Sequence, residues 1–183
     1  MLGAMTMNES ARQSIGDRVG LPADLGAAAT LFGRDADLDA AEQVTLARMN
    51  AMLEVAFLAA AADGEINDAE ADNLGATLSQ WLGTELSDDV VEDIIARFIA
   101  ALAAEGRDQR LAAIASVLDP EARRTAYTLA CLVALCDLEL HDDELDVLGA
   151  IATGLGLAQD EAQVRFDEIH DHVNAVVAAV RAG

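Results

Sequence analysis

Apolar residues recur every three to four positions from Asp39 to the C-terminus, the spacing that lines up one face of an α-helix. The pattern breaks at Asp63-Gly64, Gly83-Thr84, Gly106, Asp119-Pro120, Asp137 and Gly156. Seven helices follow, over approximately 40–62, 67–82, 88–104, 107–117, 121–136, 142–154 and 159–181. Several starts have a local cause: Asn67 with Glu70 resembles a capping box, Ser87 precedes the acidic pair Asp88-Asp89, and Asp119-Pro120-Glu121 puts proline at the first helical position. Residues 1–38 differ, with scattered glycines, Pro22 and the polar stretch Arg34-Asp35-Ala36-Asp37. They read as an N-terminal extension with at most short helices, leaving 39–183 as one helical domain.

The helical pattern contains a repeat. Shifting the chain by 74 residues aligns Ala56–Ala76 with Ala130–Ala150, and 11 of the 21 positions are identical, against about two expected by chance. The non-alanine identities are Leu58/Leu132, Asp63/Asp137, Glu65/Glu139, Asp68/Asp142, Glu70/Glu144, Asp72/Asp146, Leu74/Leu148 and Gly75/Gly149. Six of these eight are acidic or glycine, so the repeat reaches beyond a shared apolar face. Two helix-turn-helix units with matching stripes can bury them against each other while the remaining helices close the bundle. The expected fold is therefore all-α, a bundle of about seven helices with two pseudo-symmetric helix-turn-helix halves.

Composition narrows the functional classes. Hydrophobic residues make up 53% and aromatics 3% of the 183 residues, so Ala, Leu, Val and Ile must fill a core of closely packed helices. A formal charge of -22 repels phosphate backbones and anionic membrane surfaces, which excludes nucleic acid as a natural partner and favours cations or basic protein surfaces. The same charge also serves plain solubility. The longest apolar runs, 55–62 and 126–136, fall short of the ~20 residues of a membrane span, and 1–10 lacks the basic-then-apolar form of a secretory signal. Cys131 and Cys136, five apart on a helix, point roughly 140° away from each other and cannot bridge. A cytoplasmic protein with two reduced core thiols is expected.

Candidate chemistry lies in the turns. Asp63-Gly64-Glu65-Ile66-Asn67-Asp68-Ala69-Glu70 puts carboxylates at a helix end, in the turn and in the next first turn, and 137–144 repeats it. Convergent carboxylates suit a hard cation, calcium or magnesium. The first run matches the back half of an EF-hand loop, but Ala59 and Ala61 stand where its first two oxygen ligands belong, with Val133 and Leu135 in the second unit, so a genuine EF-hand is rejected. The competing reading is structural: Glu70 and Glu144 as capping-box residues, and Asp68, Asp142, Asp72 and Asp146 as solubilising charges near helix starts. Asp63, Glu65, Asp137 and Glu139 resist it, because negative charge at a helix C-terminus opposes the helix dipole. His141 is the only histidine in an acidic turn, whereas His170 and His172, two apart, diverge by about 160° and do not share an ion. Trp81 and Tyr127 fall in apolar helical patterns and read as core or boundary residues.

These residues resemble the tellurite-resistance TerB family and the related N-terminal domain of DjlA-type co-chaperones. The resemblance rests on Ala61-Ala62-Asp63-Gly64-Glu65-Ile66 with Glu70, and on Arg124, Ala126-Tyr127, Ala130-Cys131, Ala134, Asp137 and Glu139 with Glu144, and spans approximately 40–157. It implies an all-helical bundle of two similar halves tied to bacterial stress responses, non-enzymatic, and binding divalent cations through Asp63, Glu65, Glu70, Asp137, Glu139 and Glu144. Leu138 departs from the glycine common at that place. Consistent with a non-enzyme, the chain has no nucleophile signature, no phosphate loop and no Glu-x-x-His pair, Glu168-Ile169-His170 having the wrong spacing. Protein partners are expected, either beside the cation or as the sole function, with the acidic face docking a basic surface.

Overall fold

A computed structural model of the chain describes residues 31–32, 38–62, 74–75, 87–135 and 142–182. Among them are six α-helices and no strand: α1 (Ala40–Ala60), α2 (Asp88–Glu105), α3 (Arg107–Val117), α4 (Pro120–Ala134), α5 (Asp142–Gly154) and α6 (Gln159–Ala182). The expected helix over 67–82 lies outside the described residues except for Leu74 and Gly75, which are helical.

Helix starts follow local chemistry. Asp39 accepts hydrogen bonds from the backbone N–H groups of Ala41 and Glu42 at 2.8 and 2.9 Å, and Glu42 accepts from the Asp39 N–H at 2.9 Å. That reciprocal arrangement satisfies donors that the first turn of α1 would leave unpaired. Asp119 does the same for α4 through the Ala122 N–H at 2.9 Å, with Pro120 at the first helical position as expected. Ser87 precedes α2, but its side chain makes no capping bond; its carbonyl accepts from Val90 and Val91 instead. Gly106 ends α2 and opens α3 at φ 78°, a left-handed conformation that glycine adopts without a Cβ penalty.

The core centres on α1 and α4. Every residue from Ala51 to Ala59 is buried, as is every residue from Ala126 to Leu132, so the two helices are enclosed on all sides over these stretches. They form the most extensive helix pair, and α1 also packs on α3, α5 and α2. Contacts along α3 fix the directions: Arg107 meets the end of α1 at Ala61, Arg110 meets Glu54, and Asp119 meets Arg48 at 2.7 Å. Helix α3 therefore runs back along α1, and α4 starts beside the N-terminal half of α1 and runs the same way along its buried stretch.

Small residues let the outer helices approach. A Cβ on Gly75 would lie 2.5 Å from Val91 Cγ1, so this glycine holds the Val91 side chain of α2 directly on its backbone. Outside the main core, Leu31, Leu38 and Leu46 form a small separate cluster with Phe32 beside the N-terminal half of α1.

Candidate functional site

The acidic turns leave from two matching helix ends. Helix α1 closes with the Ala61 N–H donating to Phe57 O at 2.9 Å, and α4 with the Leu135 N–H donating to Cys131 O at 3.0 Å. The last helical residues, Ala60 and Ala134, are 74 positions apart, the register of the sequence repeat. Because α1 and α4 run in the same direction, both ends face the same end of the bundle. The chain continues from them into Asp63 and Asp137.

None of the five helices α1 to α5 has a basic residue in its last turn, and at three of their ends the C-terminal carbonyls find a cation elsewhere. Arg107 Nη2 donates to Ala61 O at 2.8 Å and Ala62 O at 3.0 Å, which sets a guanidinium on the negative end of the α1 dipole, one residue before Asp63. Its Nε is buried and makes no hydrogen bond among the described residues. Arg123 acts likewise at two other ends, donating to Ala115 O and Leu118 O of the α3 terminus and to Leu155 O after α5. The dipole conflict expected at Asp63 is thus offset by a positive group contributed from α3.

Of the six residues expected to hold a cation, Asp63, Glu65, Glu70, Asp137 and Glu139 lie outside the described residues, as do His141, Cys136 and Trp81. Glu144 is half-buried in the first turn of α5. Among the described residues no group of three or more His, Cys, Asp or Glu side chains is placed to hold a metal ion.

Two features escaped the sequence reading. The first is an ion pair inside the bundle: Arg110 Nε and Nη2 donate to Glu54 Oε1 and Oε2 at 2.6 and 2.8 Å, and Nη1 donates to Glu105 at 3.1 Å. Glu54 is only 5% exposed, and its hydrogen bonds hold the Arg110 guanidinium far above its ordinary pKa. A lone glutamate within the apolar stretch 51–62 was the available signal, since a buried carboxylate requires a partner.

The second is a cleft of about 680 Å³ between α5 and α6, with Leu148, Gly149, Ala152, Leu157 and Phe166 on its walls and Tyr127 of α4 reaching into it. Tyr127 is buried, and Cys131, one helical turn on, is buried too. Burial raises both groups, Cys131 to about 12, which leaves the thiol protonated and unreactive at neutral pH. Both residues thus fill the expected core roles. His170 stacks on Phe166 with ring centroids 5.8 Å apart and also lines the cleft, while His172 lies outside its lining.

No curated protein and no solved structure matches the chain. Among the described residues no helix is long and apolar enough to cross a membrane. The sequence pattern of the family described as tellurite resistance protein TerB matches residues 49–165, a span that begins in α1 and reaches into α6 and includes both acidic turns. This all-helical chain belongs to the TerB family.

Proposed function

We propose that the chain is a non-enzymatic, cytoplasmic stress-response module of the tellurite-resistance type that binds a divalent cation, calcium or magnesium, and serves as a scaffold for protein partners. The cation is held by Asp63, Glu65 and Glu70 together with Asp137, Glu139 and Glu144, supplied by two pseudo-symmetric helix-turn-helix halves. One observation supports this above the rest: α1 and α4 run the same way and end 74 residues apart, at Ala60 and Ala134, so the duplicated acidic segments are tethered at one end of the bundle. Carboxylates brought to one end repel one another unless a cation neutralises them, and oxygen ligands suit a hard divalent ion.

Calorimetric titration with calcium, magnesium and zinc, on wild type and on an Asp63→Asn, Asp137→Asn double variant, tests the reading. Heat from calcium or magnesium that disappears in the double variant is the expected result. Equal heats from both proteins, or none from either, would leave the acidic turns as capping and solubilising devices. Partner binding that ignores chelators and weakens only with salt would assign the scaffold role to the acidic surface alone.

A further inference from the structure

The cleft between α5 and α6 is open at the place where the first repeat is closed. Gly75 and Gly149 occupy the same place in the 74-residue register. Val91 of α2 covers Gly75, 2.5 Å from where a Cβ would stand, whereas a Cβ on Gly149 would meet nothing within 4 Å among the described residues. The residue 74 positions after Val91 is Arg165, which ion-pairs with Glu168 at 3.5 Å and lines a second, smaller cleft of about 340 Å³. Among the described residues no side chain of α6 takes the place that Val91 fills in the first unit.

The two clefts share Tyr127, Leu157 and Ala162 and differ in charge. The charged groups fall on the smaller one, where Arg124 pairs with Glu161, and Arg165 with Glu168, beside Asp160. Among the described residues no Asp, Glu, Lys or Arg lines the larger one, in a chain of which 24% is charged. An ion entering it would give up hydration and meet no opposite charge, so the cleft selects uncharged molecules. Its volume of about 680 Å³ lies within the range of roughly 300–1,000 Å³ typical of small-molecule sites.

The lining mixes two kinds of group. Leu148 and Leu157, with the rings of Phe166 and His170 stacked 5.8 Å apart and 8° from parallel, offer flat apolar surface. Thr153 commits its hydroxyl proton to Gly149 O at 2.9 Å, and Gln163 commits one amide N–H to Asp167 at 2.9 Å. Each therefore keeps an oxygen able to accept a further hydrogen bond. Flat apolar walls and neutral acceptors together fit a ring that carries a hydroxyl donor.

We propose that the α5–α6 cleft binds an uncharged aromatic molecule bearing a hydroxyl donor, its ring beside Gly149 in the place that Val91 occupies over Gly75. The site is independent of the acidic turns and of any protein partner. The test is a two-dimensional ¹⁵N–¹H NMR titration of the full chain near neutral pH with naphthalenes of similar size: 2-naphthol, its methyl ether, the 2-naphthoate anion and the 2-naphthylmethylammonium cation. 2-Naphthol should shift the backbone amides of Gly149, Thr153, Gln163 and Phe166. It should bind at least about tenfold more tightly than either ion, and more tightly than the ether, which has no proton to donate. Gly149→Leu, which fills the cleft, should abolish these shifts, and Gly149→Ala should keep them. Affinities ordered by charge alone, with the cation tightest and the anion weakest, would assign the binding to the net charge of the chain and overturn the proposal. Shifts elsewhere, equal binding of 2-naphthol and its ether, binding unchanged by Gly149→Leu, or no binding of 2-naphthol would also overturn it. So would a dimer of the full chain that Gly149→Leu dissolves, since a second copy would then be the occupant.

Discussion

Glu54 and Arg110 show how one buried charge constrains a helix pair. The carboxylate lies in the most apolar stretch of α1 and is tolerated because the guanidinium, from α3, meets both of its oxygens. Removing one partner strands the other in a poorly solvated place, so Arg110→Ala should cost about 3 kcal/mol in urea unfolding, near the low end for broken buried pairs because Arg110 keeps some exposure. Replacing both, Glu54→Leu with Arg110→Met, should recover most of that loss. A double variant as unstable as the single one would show that the pair contributes more than mutual neutralisation. Cys131 makes a second prediction at this scale. Its folded pKa lies above that of a free thiol, so its contribution to stability is fully present below about pH 8.5 and is lost as pH rises toward the folded value of about 12. Urea unfolding at pH 7, 9 and 10 should therefore show a stability decline that is shallower in Cys131→Ala; parallel declines would refute it.

Helix contacts turn on single small residues, and the two repeat-related glycines give opposite expectations for one substitution. Gly75→Ala drives a methyl into the stiff, β-branched Val91 side chain and should destabilise by about 1–3 kcal/mol, less the gain in helix propensity. Gly149→Ala meets open space in the middle of α5 and should stabilise by about 0.5–1 kcal/mol. Thermal unfolding of the two variants reads the sign directly, and shifts in the same direction would contradict the packing described. Element boundaries were legible where local chemistry sets them: 107–117 and 142–154 coincide with α3 and α5, and Asp119-Pro120 marks the start of α4. The capping box at Asp39 was written in the sequence as plainly, with glutamate three residues on, and was not read. What could not be read was which side chains would meet across the bundle. Arg110 finds Glu54 from 56 residues away and Arg107 finds Ala61 from 46, choices made by helix packing and not by spacing. For the candidate site, the sequence identified the acidic residues, while the cation on the neighbouring helix end emerged only from the fold.

At the scale of the whole molecule, charge dominates. A net -22 spread over 183 residues opposes compaction, and each helix end that lacks a basic residue adds to the imbalance. Sodium chloride added from about 0.02 to 0.5 M should therefore raise the melting temperature by screening this repulsion. Calcium at matched ionic strength should raise it further only if a site binds the ion, because ligand binding to the folded state adds its own stabilisation. Equal gains from the two salts would argue for screening alone. Arg123 shows how so acidic a chain stays joined together: one side chain from α4 reaches the terminus of α3 and the corner after α5 at once. Such a three-way clasp ties the C-terminal pair of helices to the α3 terminus through a single guanidinium, so any opening that lifts α5 and α6 away from the rest must first undo the Arg123 hydrogen bond to Leu155 O.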